Sequence, residues 1–168
     1  KLFQIIGEEA GYIHTARSRN DQVVTDLKIW IKSSSKEINI NLNKVIKSTL
    51  KIAEKNVETI MPGFTHLKNA QPISLAHYLM AYVEMFERDK RRFINNLTSL
   101  NESPLGVAAI AGTSFNIDRN YTAKKLGFDR PTNNSIDTVS DRDFVLDFLF
   151  SISVCSIHIS RIAEELII

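Results

Sequence analysis

Cysteine occurs once in this chain of 168 residues, at Cys155, which excludes an internal disulfide framework and fits a reducing compartment. Cytoplasm is therefore the expected location. Charge of one sign is equally scarce: 21 Lys and Arg stand against 19 Asp and Glu, spread along the chain, for a net charge of +2. Nothing in that balance calls for a polyanion, so no nucleic acid is expected as a partner. Long hydrophobic runs are missing as well. The longest uncharged run in the last helical pattern, Phe148 to Ser160, has 13 residues and includes a histidine, short of the roughly 20 that cross a bilayer, and no membrane partner is expected. The opening Lys1-Leu2-Phe3-Gln4 has neither Met nor the apolar core of a secretory signal, and is read as starting mid-protein. No GxxxxGK[ST] or GxGxxG loop occurs. His14, His66, His77 and His158 are too scattered for a local ligand motif, so no metal is expected.

What the chain does have is helical periodicity, with 43% hydrophobic residues to bury. Leu2 to Ala10 reads as the end of a helix stopped by Gly11. Ser18 with Asp21 has capping-box spacing, and an apolar stripe follows it: Val24, Leu27, Ile31, Ile38, Leu42, Val45, Leu50, Ala53, Val57 and Ile60. Met61-Pro62-Gly63 ends that pattern. A polar loop from Gly63 is expected to lead to a second helix opening at Pro72, with Leu79, Val83, Phe86 and Phe93 on one face. The mixed-sign cluster Glu87 to Arg92 within it reads as a solvated face. Asn101 to Arg119 is non-helical, and its small residues around Gly106 and Gly112 suit either a packing loop or a substrate-facing one. Tyr121 to Leu126 reads as a short helix capped by Gly127, and Ser140 with Asp143 as the start of a third long helix. That last helix is apolar nearly all round, which predicts cover from other subunits or further chain. The fold class is all-α, a long-helix bundle, and a homo-oligomer is expected.

Each long helix begins near a polar cluster: Ser18-Arg19-Asn20, Thr65-His66 and Ser140-Asp141-Arg142. Helix N-termini attract carboxylates and phosphates, which points to an anionic substrate. Arginines fork onto carboxylates, Asn20 and Thr65 can orient one by neutral bonds, and His66 can exchange a proton near neutral pH. Ordinary capping accounts for Ser18 equally well, and a loop histidine is often just a surface residue.

Four segments together carry a resemblance: His14 to Gln22, Pro62 to Pro72, Pro104-Leu105-Gly106 with Ala111-Gly112-Thr113, and Asn134 to Phe144. In order and spacing, over essentially all 168 residues, they resemble the argininosuccinate lyases, in the superfamily of fumarase, aspartase and the delta-crystallins. The resemblance implies the central helical domain of a fumarase/aspartase-like homotetramer, with sites shared between subunits and no metal or organic cofactor. It implies reversible cleavage of argininosuccinate to arginine and fumarate in arginine biosynthesis. Matching positions would make Ser18, Arg19, Asn20, Thr65 and Arg142 substrate-binding residues and His66 the acid/base residue. On the same resemblance, residues 1–168 are an incomplete domain: the family's N-terminal region and its mobile Ser/Lys loop are expected outside it, and the segment alone is expected to be inactive. A non-catalytic helical protein of the delta-crystallin kind is the alternative.

Overall fold

A computed structural model describes residues 1–167. The elements in chain order are α1 (Leu2–Ile6), a 3-10 segment (Gly7–His14), α2 (Arg19–Glu54), β1 (Ile60–Thr65), β2 (Lys68–Ser74), α3 (Leu75–Ser99), β3 (Glu102–Ser103), α4 (Arg119–Lys125), β4 (Arg130–Pro131), α5 (Ser135–Ser140) and α6 (Asp143–Glu165). The chain divides into two compact units, Lys1–Ser33 with Leu97–Leu146, and Ser34–Asn96 with Asp147–Ile168. Each unit takes part of α2, α3 and α6.

In the first unit, Val24, Ile31, Leu100, Val107, Ala123, Phe128 and Phe144 form the buried core. The capping box at α2 is made as expected: Ser18 N donates to Asp21 Oδ1 at 3.0 Å, and Asn20 N donates to Ser18 Oγ at 3.3 Å. The N-terminal expectation shifts. Gly7, at φ 67, ends α1, and the 3-10 segment runs on through Gly11. At α4, Asp118 accepts from Asn120 N and Tyr121 N, and Gly127 N and Phe128 N close the other end on Lys124 O and Ala123 O. That pair of bonds is a Schellman ending, and Gly127 supplies its positive φ of 76.

The third long helix does not start at Ser140. Asn134 Oδ1 accepts from Ile136 N and Asp137 N and opens α5 there instead. Ser140 Oγ turns back to donate to Ile136 O and Asp137 O, and Asp141 Oδ1 takes Asp143 N at 2.8 Å to start α6. The capping side chains of a short helix and a long one thus share one stretch, and the short α5 takes Ser140.

In the second unit, Leu42, Ile46 and Ala53 of α2, Leu79, Tyr82, Val83, Phe86 and Phe93 of α3, and Phe148 and Cys155 of α6 are buried. Phe93 and Phe148 meet edge to face at 6.1 Å between centroids. On α2 the buried position is Ile46 and not Val45, which is 43% exposed; Val57 and Ile60 lie beyond the helix and are exposed.

The polar loop expected after Gly63 is a β-hairpin. β1 and β2 pair antiparallel with Thr65 opposite Lys68, Pro62 opposite Pro72, and an irregularity between Pro62 and Phe64. Two residues without N–H stand opposite each other, where neither costs its partner a ladder bond. Gly63 is needed here because a Cβ would lie 2.7 Å from Gln71 O. Pro72 therefore sits in a strand, and α3 opens three residues later with Ser74 Oγ accepting from His77 N at 3.1 Å.

The Glu87–Arg92 cluster is not wholly solvated. Asp89 has no exposed surface, accepting from Arg92 Nη1 at 2.9 Å and from His158 Nδ1 at 2.7 Å. α6 leaves Leu149, Phe150 and Ile157 more than half exposed. By length and composition, at a mean hydropathy of 1.5, it is apolar enough to cross a membrane, because scattered charges do not disqualify a helix that an unbroken-run criterion rejects. Its His158 and Ser151 side chains and its Asp147 carbonyl are bonded to Asp89 and Asn96, as in a helix packed on protein.

Candidate active site

The start of α2 and the loop after β3 build the better-defined half of the candidate residues. Ser18 is half-buried and committed to the cap, while Arg19 and Asn20 are exposed on the first turn. Asn20 Nδ2 reaches Ala109 O at 3.1 Å, so the helix start is stitched to the Gly106 to Thr113 loop. That loop lines an open hollow with Arg119 and Asn133. Arg119 stands beneath it, donating to Leu105 O at 3.2 Å and Thr132 Oγ1 at 3.0 Å. Burial lowers its affinity for the proton, and the nearby Asp21 carboxylate opposes that shift.

Arg142 sits in the α5–α6 connection, exposed, with Nη1 donating to Val139 O at 3.2 Å and Asp141 O at 2.6 Å. Two of its donor directions are therefore spent on its own backbone. Lys28 is a cation that residue type hides but helical spacing could have found, since it stands four residues after Val24 and three before Ile31 on the buried stripe of α2. It is 5% exposed, donates to Glu102 O at 3.3 Å, and lies 5.1 Å over the Phe144 ring. Burial lowers its pKa, opposed by Asp141, Glu102 and Asp137.

Thr65 and His66 belong to the second unit, at the tip of the β1–β2 hairpin, both exposed. His66 and Leu67 form the two-residue turn, with φ of 53 and 58. Such a turn favours Asn and Gly, and two side chains with branched or ringed bulk there are held against their preference. The hairpin thus projects the imidazole from a fixed, strained backbone. Ser18, Arg19 and Asn20 share one helix start; Arg142 lies on a different connection of the same unit; Thr65 and His66 share the hairpin tip. Among the described residues no group of three or more His, Cys, Asp or Glu has the disposition of a metal site.

The chain is thus built on long helices, with a histidine presented at the tip of a tight hairpin. The model of the lyase family, Lyase_1, matches residues 1–168, and the chain belongs to that family. It is 78% identical over 168 residues to the argininosuccinate lyase of Pelagibacter ubique (strain HTCC1062), covering 100% of this chain and 36% of that protein. Against the argininosuccinate lyase of Ehrlichia ruminantium (strain Welgevonden) it is 54% identical over 167 residues, 99% of this chain and 36% of the relative. The chain thus spans about a third of the length of the curated relatives it matches. Among solved structures it is similar to EDDS lyase in complex with formate, with a TM-score of 0.92 at 33% identity, covering 98% of this chain and 33% of that one. A Brucella melitensis structure described as fumarate lyase:delta crystallin, bound to cobalt, has a TM-score of 0.84 at 23% identity over 98% of this chain and 37% of that one, a likeness of fold alone. The crystallin alternative gains nothing beyond that likeness.

Proposed function

We propose that this chain is the central helical domain of an argininosuccinate lyase, which eliminates fumarate from argininosuccinate and releases arginine, in cytoplasmic arginine biosynthesis. The observation that carries this reading is the 78% identity to the Pelagibacter ubique enzyme, unbroken over the chain. In the reaction a proton leaves the carbon beside a carboxylate, its electron pair becomes the new carbon–carbon double bond, and the carbon–nitrogen bond breaks toward the guanidino nitrogen. The carbanionic charge that develops must meet donors already in place. Ser18, Arg19 and Asn20 hold substrate carboxylates at the positive end of α2, Thr65 contacts the fumarate portion, and His66 exchanges the proton. Arg142 is a further anion contact once it gives up a bond to Val139 O or Asp141 O. The working enzyme is a homotetramer with sites shared between subunits, and the exposed Leu149, Phe150 and Ile157 on α6 are the kind of face such an assembly covers. No metal or organic cofactor is required by this chemistry.

The test is a full-length enzyme in which this chain replaces the matching segment of the Pelagibacter ubique relative. It should release fumarate from argininosuccinate, and His66→Ala should lower kcat by roughly 100- to 10,000-fold, the usual worth of a positioned acid/base group. Turnover that survives both His66→Ala and Asn20→Ala would sink the assignment.

A further inference from the structure

Asp21 does more than cap a helix. Its side chain has no exposed surface, and its two oxygens accept three backbone N–H groups: Oδ1 from Ser18 at 3.0 Å, and Oδ2 from Gly106 at 3.0 Å and Ala108 at 2.9 Å. A capping box needs the first of these alone. The other two come from a loop more than eighty residues away, and they are charge-assisted bonds in a dry setting, where such bonds are strongest.

The loop is shaped to deliver them. Gly106 and Ala108 both adopt positive φ, 96 and 52, which turns alternate N–H groups toward one side, as in an anion-binding nest. A side chain at Gly106 would be strained at this φ, and its Cβ, 2.8 Å from Arg119 Cγ and 2.9 Å from Ile117 Cδ1, would force those side chains to shift. Arg119 holds the same loop by the opposite polarity, at Leu105 O. With the loop gripped by a carboxylate on its N–H groups and a guanidinium on its carbonyl, the next carbonyl, Ala109 O, is fixed where Asn20 Nδ2 meets it at 3.1 Å. A carbonyl oxygen only accepts, so this bond decides which end of the Asn20 amide faces the loop. It leaves Asn20 Oδ1 and the second N–H of Nδ2 turned away from it.

We infer that Asp21 is a positioning residue for substrate recognition: through the backbone of Gly106, Ala108 and Ala109 it fixes the orientation of the Asn20 amide, which holds a substrate carboxylate. This rests on the argininosuccinate lyase reading above. The same full-length enzyme tests it. Asp21→Asn puts an N–H where an acceptor is required, so kcat/KM should fall roughly 100-fold, mostly through KM, as expected of a misplacement of about 1 Å. Ile31→Ala, a buried change in the same unit, supplies a variant with comparable loss of Tm. Its kcat/KM should stay within about twofold of the parent. Asp21→Glu keeps the charge and should recover part of the KM. In the unmodified enzyme, amide hydrogen exchange over residues 104–110 should slow further when fumarate is added.

An Asp21→Asn enzyme that follows Ile31→Ala, with Tm lowered and KM intact, would overturn the inference. So would fumarate that leaves exchange over 104–110 unchanged, a result that stands even where the variant does not fold. An unmodified enzyme that fails to turn over argininosuccinate, with exchange over 104–110 unaffected by fumarate, refutes the underlying reading as well. Turnover without any effect of Asp21→Asn refutes only the positioning role.

Discussion

Asp89 Oδ2 and His158 Nδ1 lie 2.7 Å apart, tying α3 to α6 inside the second unit. The carboxylate has no exposed surface, and its other oxygen is taken by Arg92 Nη1 at 2.9 Å. Interiors tolerate such a charge when its hydrogen bonds are complete, and punish it when one partner is removed. The bond anchors α6 on α3 together with the Asn96 Nδ2 contacts to Asp147 O and Ser151 Oγ.

His158→Ala should therefore destabilise the chain by about 3 kcal/mol in urea unfolding, since the carboxylate stays buried with one partner gone. Replacing both residues by leucine should cost clearly less than the two single changes added together. Additive single effects would show that the pair is not coupled.

Cys155 lies beside this pair, 7% exposed, and burial, aided by the Asp89 carboxylate, pushes its thiol from 9.0 up to about 11. The folded state thus favours the neutral thiol. Its contribution is complete below pH 9, where the unfolded thiol is also protonated, and is lost as pH rises through about 11. The loss amounts to about 2 to 3 kcal/mol at 1.36 kcal/mol per unit. Measured by denaturant melts from pH 8 to pH 11.5, the parent should fall relative to Cys155→Ala by that amount, other titrating groups being common to both. Parallel curves would rule this out.

Leu67 is 83% exposed at φ 58 in the hairpin turn. A left-handed conformation costs a residue with a Cβ about 1 to 2 kcal/mol, and glycine loses about 0.5 to 1 kcal/mol in chain entropy, so Leu67→Gly should raise stability by up to about 1 kcal/mol. Thermal unfolding of the two proteins is the check. A lowered Tm would mean that the turn holds Leu67 by a contact worth more than the strain.

Helix positions were legible because they depend on local rules. The Ser18–Asp21 cap, the α2 stripe through Val24, Ile31 and Leu42, and the Gly127 ending of α4 each follow from residue types and spacings within one helix. The hairpin was not legible. His66-Leu67 lacks the Asn or Gly that marks a two-residue turn, and two prolines read as breaks instead of an opposed pair. Ser140 misled because Asn134 offers an equally good cap six residues earlier, and spacing does not rank the two.

The residues of the candidate site divide the same way. Ser18, Arg19, Asn20, Thr65, His66 and Arg142 stand out in the sequence because polar side chains gather at helix starts and in one short polar stretch. The chemistry proposed for them, anion binding with a proton-exchanging histidine, was read from residue type alone. In the sequence Asp21 reads as a cap and Asp89 as part of a solvated charge cluster, and Lys28 draws no notice. Only the fold shows that loops and helices from 69 to 87 residues away supply the partners that make each one buried. Burial of a charge is decided by what comes to meet it, and a linear sequence specifies the donor without specifying the meeting. The amino-acid order made the long helices, the start of α2 and the candidate site residues legible. The tertiary structure decided which of the charges are held in place, because long-range hydrogen bonds offset a desolvation cost that local sequence cannot reveal.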